Sequence, residues 1–291
     1  MKTITFFSEK GGVGKSTFSI MYASWLHHKM SAKVALADFN NRIKLYREAE
    51  KRSRNKFIQN HPESDIRPFD ERTTWPIVTC LQRDIIKLSS ETSIPYGRWF
   101  DEQISKGGSL HDYDIVICDF PGSLTGGEFM QINSINKMSL VVIPTENDEM
   151  TLNSTIRLHN MIHDRNHCLF INKAQLGLKN FRGRYFRLGE LLIKQGLPVL
   201  PDMVSYSERI TTIDKVDIIR STFGFPEFES PEYGMGKDLG IINLFIDVTR
   251  ELAKCPDLRG TEASDLSFAS ELVKTKDGRQ LKGTPYRAYE I

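Results

Sequence analysis

An apolar run, "TITFFS" (3–8), leads straight into "EKGGVGKS" and then into a stretch where Phe18, Met21 and Trp25 recur at helical spacing. A strand that turns through closely spaced glycines into a helix belongs to few folds. Glycines at 11, 12 and 14 permit positive φ angles and close approach of backbone to ligand. Successive backbone N–H groups, followed by the positive end of a helix, then make a cradle for phosphate. In this cradle of Gly11, Gly12, Val13 and Gly14, Lys15 is placed to reach β- and γ-phosphates, Ser16 to bind Mg²⁺ and Thr17 to donate to an α-phosphate. A tight turn with a solvated Lys15 is the alternative, but an ordinary turn needs no such spacing of three glycines with lysine and serine. The pattern G-x-x-x-x-G-K-[ST] asks for glycine five residues before Gly14. That position holds Glu9, with Lys10 beside it.

Further apolar runs, each bounded by charged or turn residues, read as strands: "KVALADF" (33–39), "PIVTCL" (76–81), "DIVICDF" (114–120), "SLVVIP" (139–144), "CLFIN" (168–172) and "LPVLPDMV" (197–204). Several are apolar on both faces, as strands of a covered parallel sheet are. Helical spacing lies between them, with Leu239, Ile242, Phe245, Ile246 and Leu252 marking a late helix. This alternation predicts an α/β fold with a doubly wound, mostly parallel sheet and helices on both faces. Residues 1–255 form the expected domain, interrupted by a polar, basic excursion over 40–74 whose first part, 44–57, reads as helix. Residues 256–291 form a polar extension in which Asp277-Gly278 signals a hairpin.

The formal net charge of +2 over 291 residues gives no global field toward nucleic acid or anionic lipid. The four cysteines are scattered, without the spacing of a metal cluster or a disulfide framework, and read as buried thiols. No run approaches the ~20 apolar residues of a spanning helix, and the apolar start is too short for a signal peptide, so a cytoplasmic protein is expected.

The stretch "KGGVGKST" resembles the deviant Walker A motif of the ParA/MinD family of P-loop ATPases, in which a lysine replaces a loop glycine. The resemblance implies that Lys10 is the signature lysine, reaching across an ATP-sandwich homodimer to the partner's phosphates. "YDIVICDFPGS" (113–123) resembles the family's Walker B strand and switch II, with Asp119 holding Mg²⁺ through water. "KVALADFNNR" (33–42) is similar to switch I, where Asp38 fits the first aspartate of D-x-D and is expected at the Mg²⁺ site with Ser16 and Asp119. Asn40 stands where the family's water-activating aspartate would. An amide can orient water but cannot take its proton, and phosphoryl transfer rests heavily on positioning, so slow hydrolysis is expected with Lys10, Lys15, Asp38 and Asn40 as the catalytic set. "CLFINKA" places Asn172 where the family reads adenine, and Gln175 removes the carboxylate of a guanine-reading N-K-x-D, so ATP with Mg²⁺ is expected; Asn172 as a plain turn residue stays open.

Weaker texture is reminiscent of ParA-like TraA proteins encoded with the transfer genes of conjugative transposons. That resemblance implies a weak ATPase in DNA segregation or conjugative transfer, with a protein partner that stimulates it. Two basic stretches, 44–56 and 179–187, are candidates for nonspecific DNA contact or are solvated faces. The tail lacks a membrane-binding amphipathic helix, so no membrane association is expected. A metabolic ATP-dependent ligase using 40–74 as a substrate pocket, and an ATP-bound scaffold without turnover, are the rival readings.

Overall fold

Six apolar runs form strands β1 (Lys2–Phe6), β2 (Val34–Asp38), β3 (Ile77–Thr79), β4 (Ile115–Asp119), β5 (Leu140–Thr145) and β6 (His167–Ile171). They pair in the order β3-β2-β4-β1-β5-β6, and each pairing is parallel. The computed structural model describes residues 1–63, 75–90, 95–122, 125–127, 129, 138–174, 179–204 and 241–258. The expected hairpin at 271–283, most of the polar extension and the part of the excursion at 64–74 lie outside these residues.

Alternate residues of each strand feed opposite cores, as the period of two requires. Ile4, Phe6, Ile115, Ile117, Val142 and Phe170 join a core with helices α1 (Lys15–Ser24) and, counting along the chain, α7 (Ile241–Lys254). Val116, Cys118, Val141, Ile143 and Leu169 face the other core. There they meet Leu88 of α3 (Gln82–Ser89), Trp99 and Phe100 of α4 (Pro95–Ile104), Leu158 of α5 (Glu149–Met161) and Leu192 of α6 (Lys179–Lys194). The sheet is therefore covered on both faces, which is why its strands read as continuous apolar runs. All four cysteines are buried and free.

The remaining helix, α2 (Ile43–Asn60), contains the predicted 44–57 segment. The periodicity of Phe18, Met21 and Trp25 holds, with all three buried, although Trp25 opens a π-helical turn, Trp25–Lys29, that continues α1. In α7 the buried face is Ile241, Leu244, Phe245, Val248, Thr249 and Leu252, while Ile242 and Ile246 pack at its margin and Leu239 lies outside the described residues.

Two expectations are corrected. "LPVLPDMV" is not a seventh strand: Val199 makes an isolated bridge to Leu169, and the Leu200 and Val204 amides donate to Leu169 and Ile171 carbonyls at 2.7 and 2.9 Å. Pro198 and Pro201 lack the N–H groups a continuous ladder needs. Arg47, counted among the basic residues of 44–56, is an interior residue. Its guanidinium donates to the Trp75 carbonyl at 2.7 Å and stacks 4.4 Å from the Trp75 ring centroid, while the Trp75 indole N–H donates to Ser24 at 3.1 Å. The stretch keeps exposed Lys44, Arg52 and Lys56, but Arg47 fastens α2 to the core.

Arg47→Ala should therefore act on stability, costing about 1–3 kcal/mol by stranding the Trp75 carbonyl and removing the stacked cation. Arg52→Ala, on the exposed face, should stay within about 0.5 kcal/mol. Urea denaturation of the two variants checks this, and equal effects would return Arg47 to the surface.

Candidate functional site

The predicted site residues gather at the carboxyl ends of the strands, where ligands of open α/β sheets bind. The loop after β1 reaches α1 through left-handed backbone at Gly12 (φ 78°) and Gly14 (φ 95°). Gly14 is also the N-cap residue of α1. A Cβ on Gly14 would lie 3.0 Å from the Phe18 ring and 3.3 Å from Asn172 Nδ2, so glycine is required there for space as well as for φ. Val13 is buried and lends the cradle only its backbone.

Lys15 turns its buried ammonium back along the loop, donating to the Ser8 carbonyl at 2.8 Å and the Lys10 carbonyl at 2.7 Å. Burial pushes its pKa down to about 8, against the pull of Asp119. The ammonium thus occupies the interior of the loop, where phosphate oxygens can replace the two carbonyls as partners.

Asp38 and Asp119 end neighbouring strands in register and are both fully buried. Asp38 is consumed by backbone donors: Asn40 N to Oδ1 at 3.0 Å, and Ile43 and Lys44 N to Oδ2 at 3.1 and 3.4 Å. It closes the 38–44 loop as an Asx turn and satisfies the first amides of α2, with Asn41 in the left-handed region at φ 55°. Burial raises the Asp38 pKa, and these backbone donors work against the rise. Asn40 itself is half-buried on this loop.

Asp119 is left with spare capacity. Ser16 Oγ donates to its Oδ2 at 2.8 Å, while its buried Oδ1 finds no hydrogen-bond partner among the described residues. Burial pushes its carboxyl up to about 7; the Ser16 hydroxyl lowers it, the Asp38 charge raises it further and Lys15 lowers it. A hydroxyl and an orphaned carboxylate oxygen, beside a second buried carboxylate, are hard oxygen donors suited to Mg²⁺. Thr17, the third residue of α1, is half-buried.

Asn172 reaches the loop from the end of β6, donating from Nδ2 to the Val13 carbonyl at 2.9 Å and accepting from the Lys173 amide at 2.8 Å. One donor hydrogen and one acceptor lone pair remain on its amide for a base. Lys173, which the sequence reading passed over, donates to the Gly12 carbonyl at 2.8 Å and pairs with Glu146.

Lys10 points away from its own loop. Its ammonium, 32% exposed, pairs with Asp148 Oδ2 at 2.8 Å. Asp148 is the N-cap of α5, accepting from the Thr151 amide at 3.0 Å. Partial desolvation raises the Asp148 pKa, but Lys10 and Thr151 outweigh it and hold the carboxyl at about 2. Asp148 was missed in the sequence, although an acid three residues before Thr151 at the start of a helical run is an N-cap signal.

A family model for the CobQ/CobB/MinD/ParA nucleotide binding domain matches residues 4–218. This chain belongs to that family. Its structure is similar to the MinD cell division protein of Aquifex aeolicus, with a TM-score of 0.55 and 16% identity over 86% of this chain and 97% of that one. It is also similar to a candidate plasmid partition protein from Borrelia burgdorferi B31 bound to AMPPNP, with a TM-score of 0.54 and 21% identity over 85% and 99% of the two chains. At these identities the likeness is one of fold. No curated protein sequence matches the chain. The family match agrees with the cradle, the paired carboxylates and the Ser16–Asp119 contact in assigning a nucleotide-binding role.

Of the basic stretch 179–187, which lies on α6, Arg184 and Arg187 are exposed, and the side chains of Lys179 and Arg182 are outside the described set. Among the described residues, no helix is long and apolar enough to cross a membrane.

Gly14→Ala should destabilise the chain by about 1–2 kcal/mol through its left-handed backbone alone and should abolish binding of a fluorescent ADP analogue. Unaltered binding would dissociate the loop from the site. The Asp148 carboxyl is lower in the folded than in the unfolded chain, so its contribution to stability is complete above about pH 4 and is lost as pH falls toward 2. Asp148→Asn should flatten that acid limb in a pH series of denaturation curves.

Proposed function

We propose that the chain is an ATP-dependent dimerising switch with slow ATPase activity, acting in DNA segregation or in conjugative transfer of a mobile element. The observation that carries this reading is the division of labour between the two loop lysines. Lys15 stays buried within its own loop, whereas Lys10 is held at the surface by an ion pair of the exposed kind that contributes only about 0–1 kcal/mol. A side chain so weakly tied can be exchanged for a phosphate on a second copy. Family membership and the Borrelia protein's bound AMPPNP support ATP as the nucleotide.

Lys15, the loop amides and Thr17 would hold the phosphates, Asn172 would meet the base, and Ser16 and Asp119 would hold Mg²⁺. Bound ATP with Mg²⁺ supplies the γ-phosphoryl group whose transfer to water resets the switch. Asp38 fixes the loop that carries Asn40, and Asn40 orients water without accepting its proton, which limits the rate. DNA contact would fall to exposed Lys44, Arg52 and Lys56 on α2 and to Arg184 and Arg187 on α6. A protein partner would act on the same switch segments.

Light scattering with size exclusion, in ADP or ATP with Mg²⁺, tests the reading. The natural protein should double its mass only in ATP, and Lys10→Ala should stay monomeric. A dimer indifferent to Lys10 would sink the sandwich. Asn40→Asp should raise steady-state turnover by about tenfold or more; a fast natural enzyme unaffected by the change would remove the argument for a slow switch.

A further inference from the structure

The residue that stands in place of the standard loop glycine has its own set of partners. Glu9 Oε1 accepts from the Gly126 amide at 2.7 Å. Glu9 Oε2 accepts from Arg157 Nε at 3.1 Å, from Arg157 Nη2, and from Ser154 Oγ at 3.4 Å. Ser154 and Arg157 lie on α5, and Gly126 belongs to the 119–127 segment that follows Asp119. One carboxylate, only 12% exposed, therefore joins three parts of the molecule: the phosphate loop, α5 and the switch II segment.

The fit at Gly126 is close. A Cβ there would lie 2.6 Å from Glu9 Oε1 and 3.1 Å from Met161 Sδ, so the bare glycine backbone lets the carboxylate sit directly against the amide, and a side chain there would displace it. Four residues earlier, a Cβ on Gly122 would stand 3.7 Å from Lys15 Nζ and 3.8 Å from Gly11 Cα. Gly122 thus lies against the phosphate loop, and Gly126 is pinned to it. Helix α5 holds consecutive loop residues by pairs of opposite sense, Lys10 through Asp148 and Glu9 through Arg157. Lys10 has one ion pair on an accessible side chain; Glu9 is largely buried and multiply bonded.

We propose that Glu9 is a positioning residue that pins the switch II segment to the phosphate loop, so that Gly122 stays in register with Lys15 when Lys10 leaves Asp148. This rests on the nucleotide-switch reading. A glycine at position 9 would leave the Gly126 amide without this acceptor, and the segment would meet the phosphate end of the loop without a fixed distance. Glu9 touches no substrate in this role; it acts through the backbone amide of Gly126.

The test compares Glu9→Ala, Glu9→Gln and Arg157→Ala with the natural protein by two readouts. The first is hydrogen–deuterium exchange of the nucleotide-free protein at the Gly126 amide. The second is ATP turnover, resolved into kcat and KM. Glu9→Ala should raise exchange at Gly126 by about tenfold, the size expected from losing one hydrogen bond, and lower kcat by about tenfold with KM changed by less than about threefold. Glu9→Gln keeps an acceptor for the amide and should restore both readouts to within about threefold of the natural values, as should Arg157→Ala. Unchanged exchange in Glu9→Ala overturns the contact. Raised exchange with unchanged kcat makes Glu9 a strut and overturns the positioning role, as does a Gln variant no better than Ala. A natural protein that binds neither ADP nor ATP overturns the switch reading and the positioning role together, while the exchange data then still decide the contact itself.

Discussion

Two carboxylates buried side by side govern the functional edge of this sheet. Parallel pairing of β2 with β4 sets Asp38 directly beside Asp119, roughly 4.8 Å apart across neighbouring strands, with both side chains out of water. Buried charge of one sign is expensive unless it is bonded or neutralised. The chain treats the two differently. Asp38 is saturated by backbone amides and becomes part of the loop's architecture. Asp119 receives the Ser16 hydroxyl and keeps an oxygen without a hydrogen-bond partner among the described residues, which leaves it as the member of the pair with spare donor capacity. The division follows from the loops: 38–44 curls back over its own aspartate, whereas the described residues after Asp119 bring no backbone amide to its side chain.

Around this pair the phosphate loop is held from outside. Its carbonyls at Ser8 and Lys10 face Lys15, those at Gly12 and Val13 face Lys173 and Asn172, and its first two side chains are gripped by α5. With these carbonyls engaged, the successive amides of the glycine-rich turn are the groups left to meet an anion. The tethers also differ in depth. Lys15 and Asn172 are buried, while Lys10 and Lys173 are accessible, so displacement is cheaper at these two.

Much of this was legible in the sequence where the relevant signal is local. The strands were readable because both faces are apolar, and Asp38, Asp119 and Asn172 could be placed because each ends such a run. The glycine-rich loop announced its own geometry. The tethers were not legible, because their partners lie far along the chain: Glu9 and Arg157 are 148 positions apart, Lys10 and Asp148 are 138 apart. No periodicity links such pairs until the sheet brings β1 and β5 together. Arg47 misled for a related reason: within "KLYREAEKRSRNKF" it is one cation among many, and only the packing of Trp75 on α2 separates it from the solvated ones. The failed strand at 197–204 was a matter of weight, since its two prolines outvote its apolar content.

The residues next to the two aspartates explain how the segments that carry them can act together. Phe39 follows Asp38 and Phe120 follows Asp119, and their rings stack with centroids 4.5 Å apart. Phe120 meets Phe129 edge-on at 5.7 Å, Phe129 stacks on Phe7 at 3.9 Å, and Phe39 packs against Trp99 of α4 at 5.0 Å. Phe7 follows the first strand, just before the loop. One aromatic cluster therefore underlies all three nucleotide-facing segments. Close-packed interiors do not yield smoothly; they repack between discrete arrangements. A shift at Phe39 must be met at Phe120 or leave a void, and a shift at Phe120 must be met at Phe129 and Phe7. The carboxylates set the electrostatics of the site, and the rings beside them tie the segments that carry it into one packed cluster.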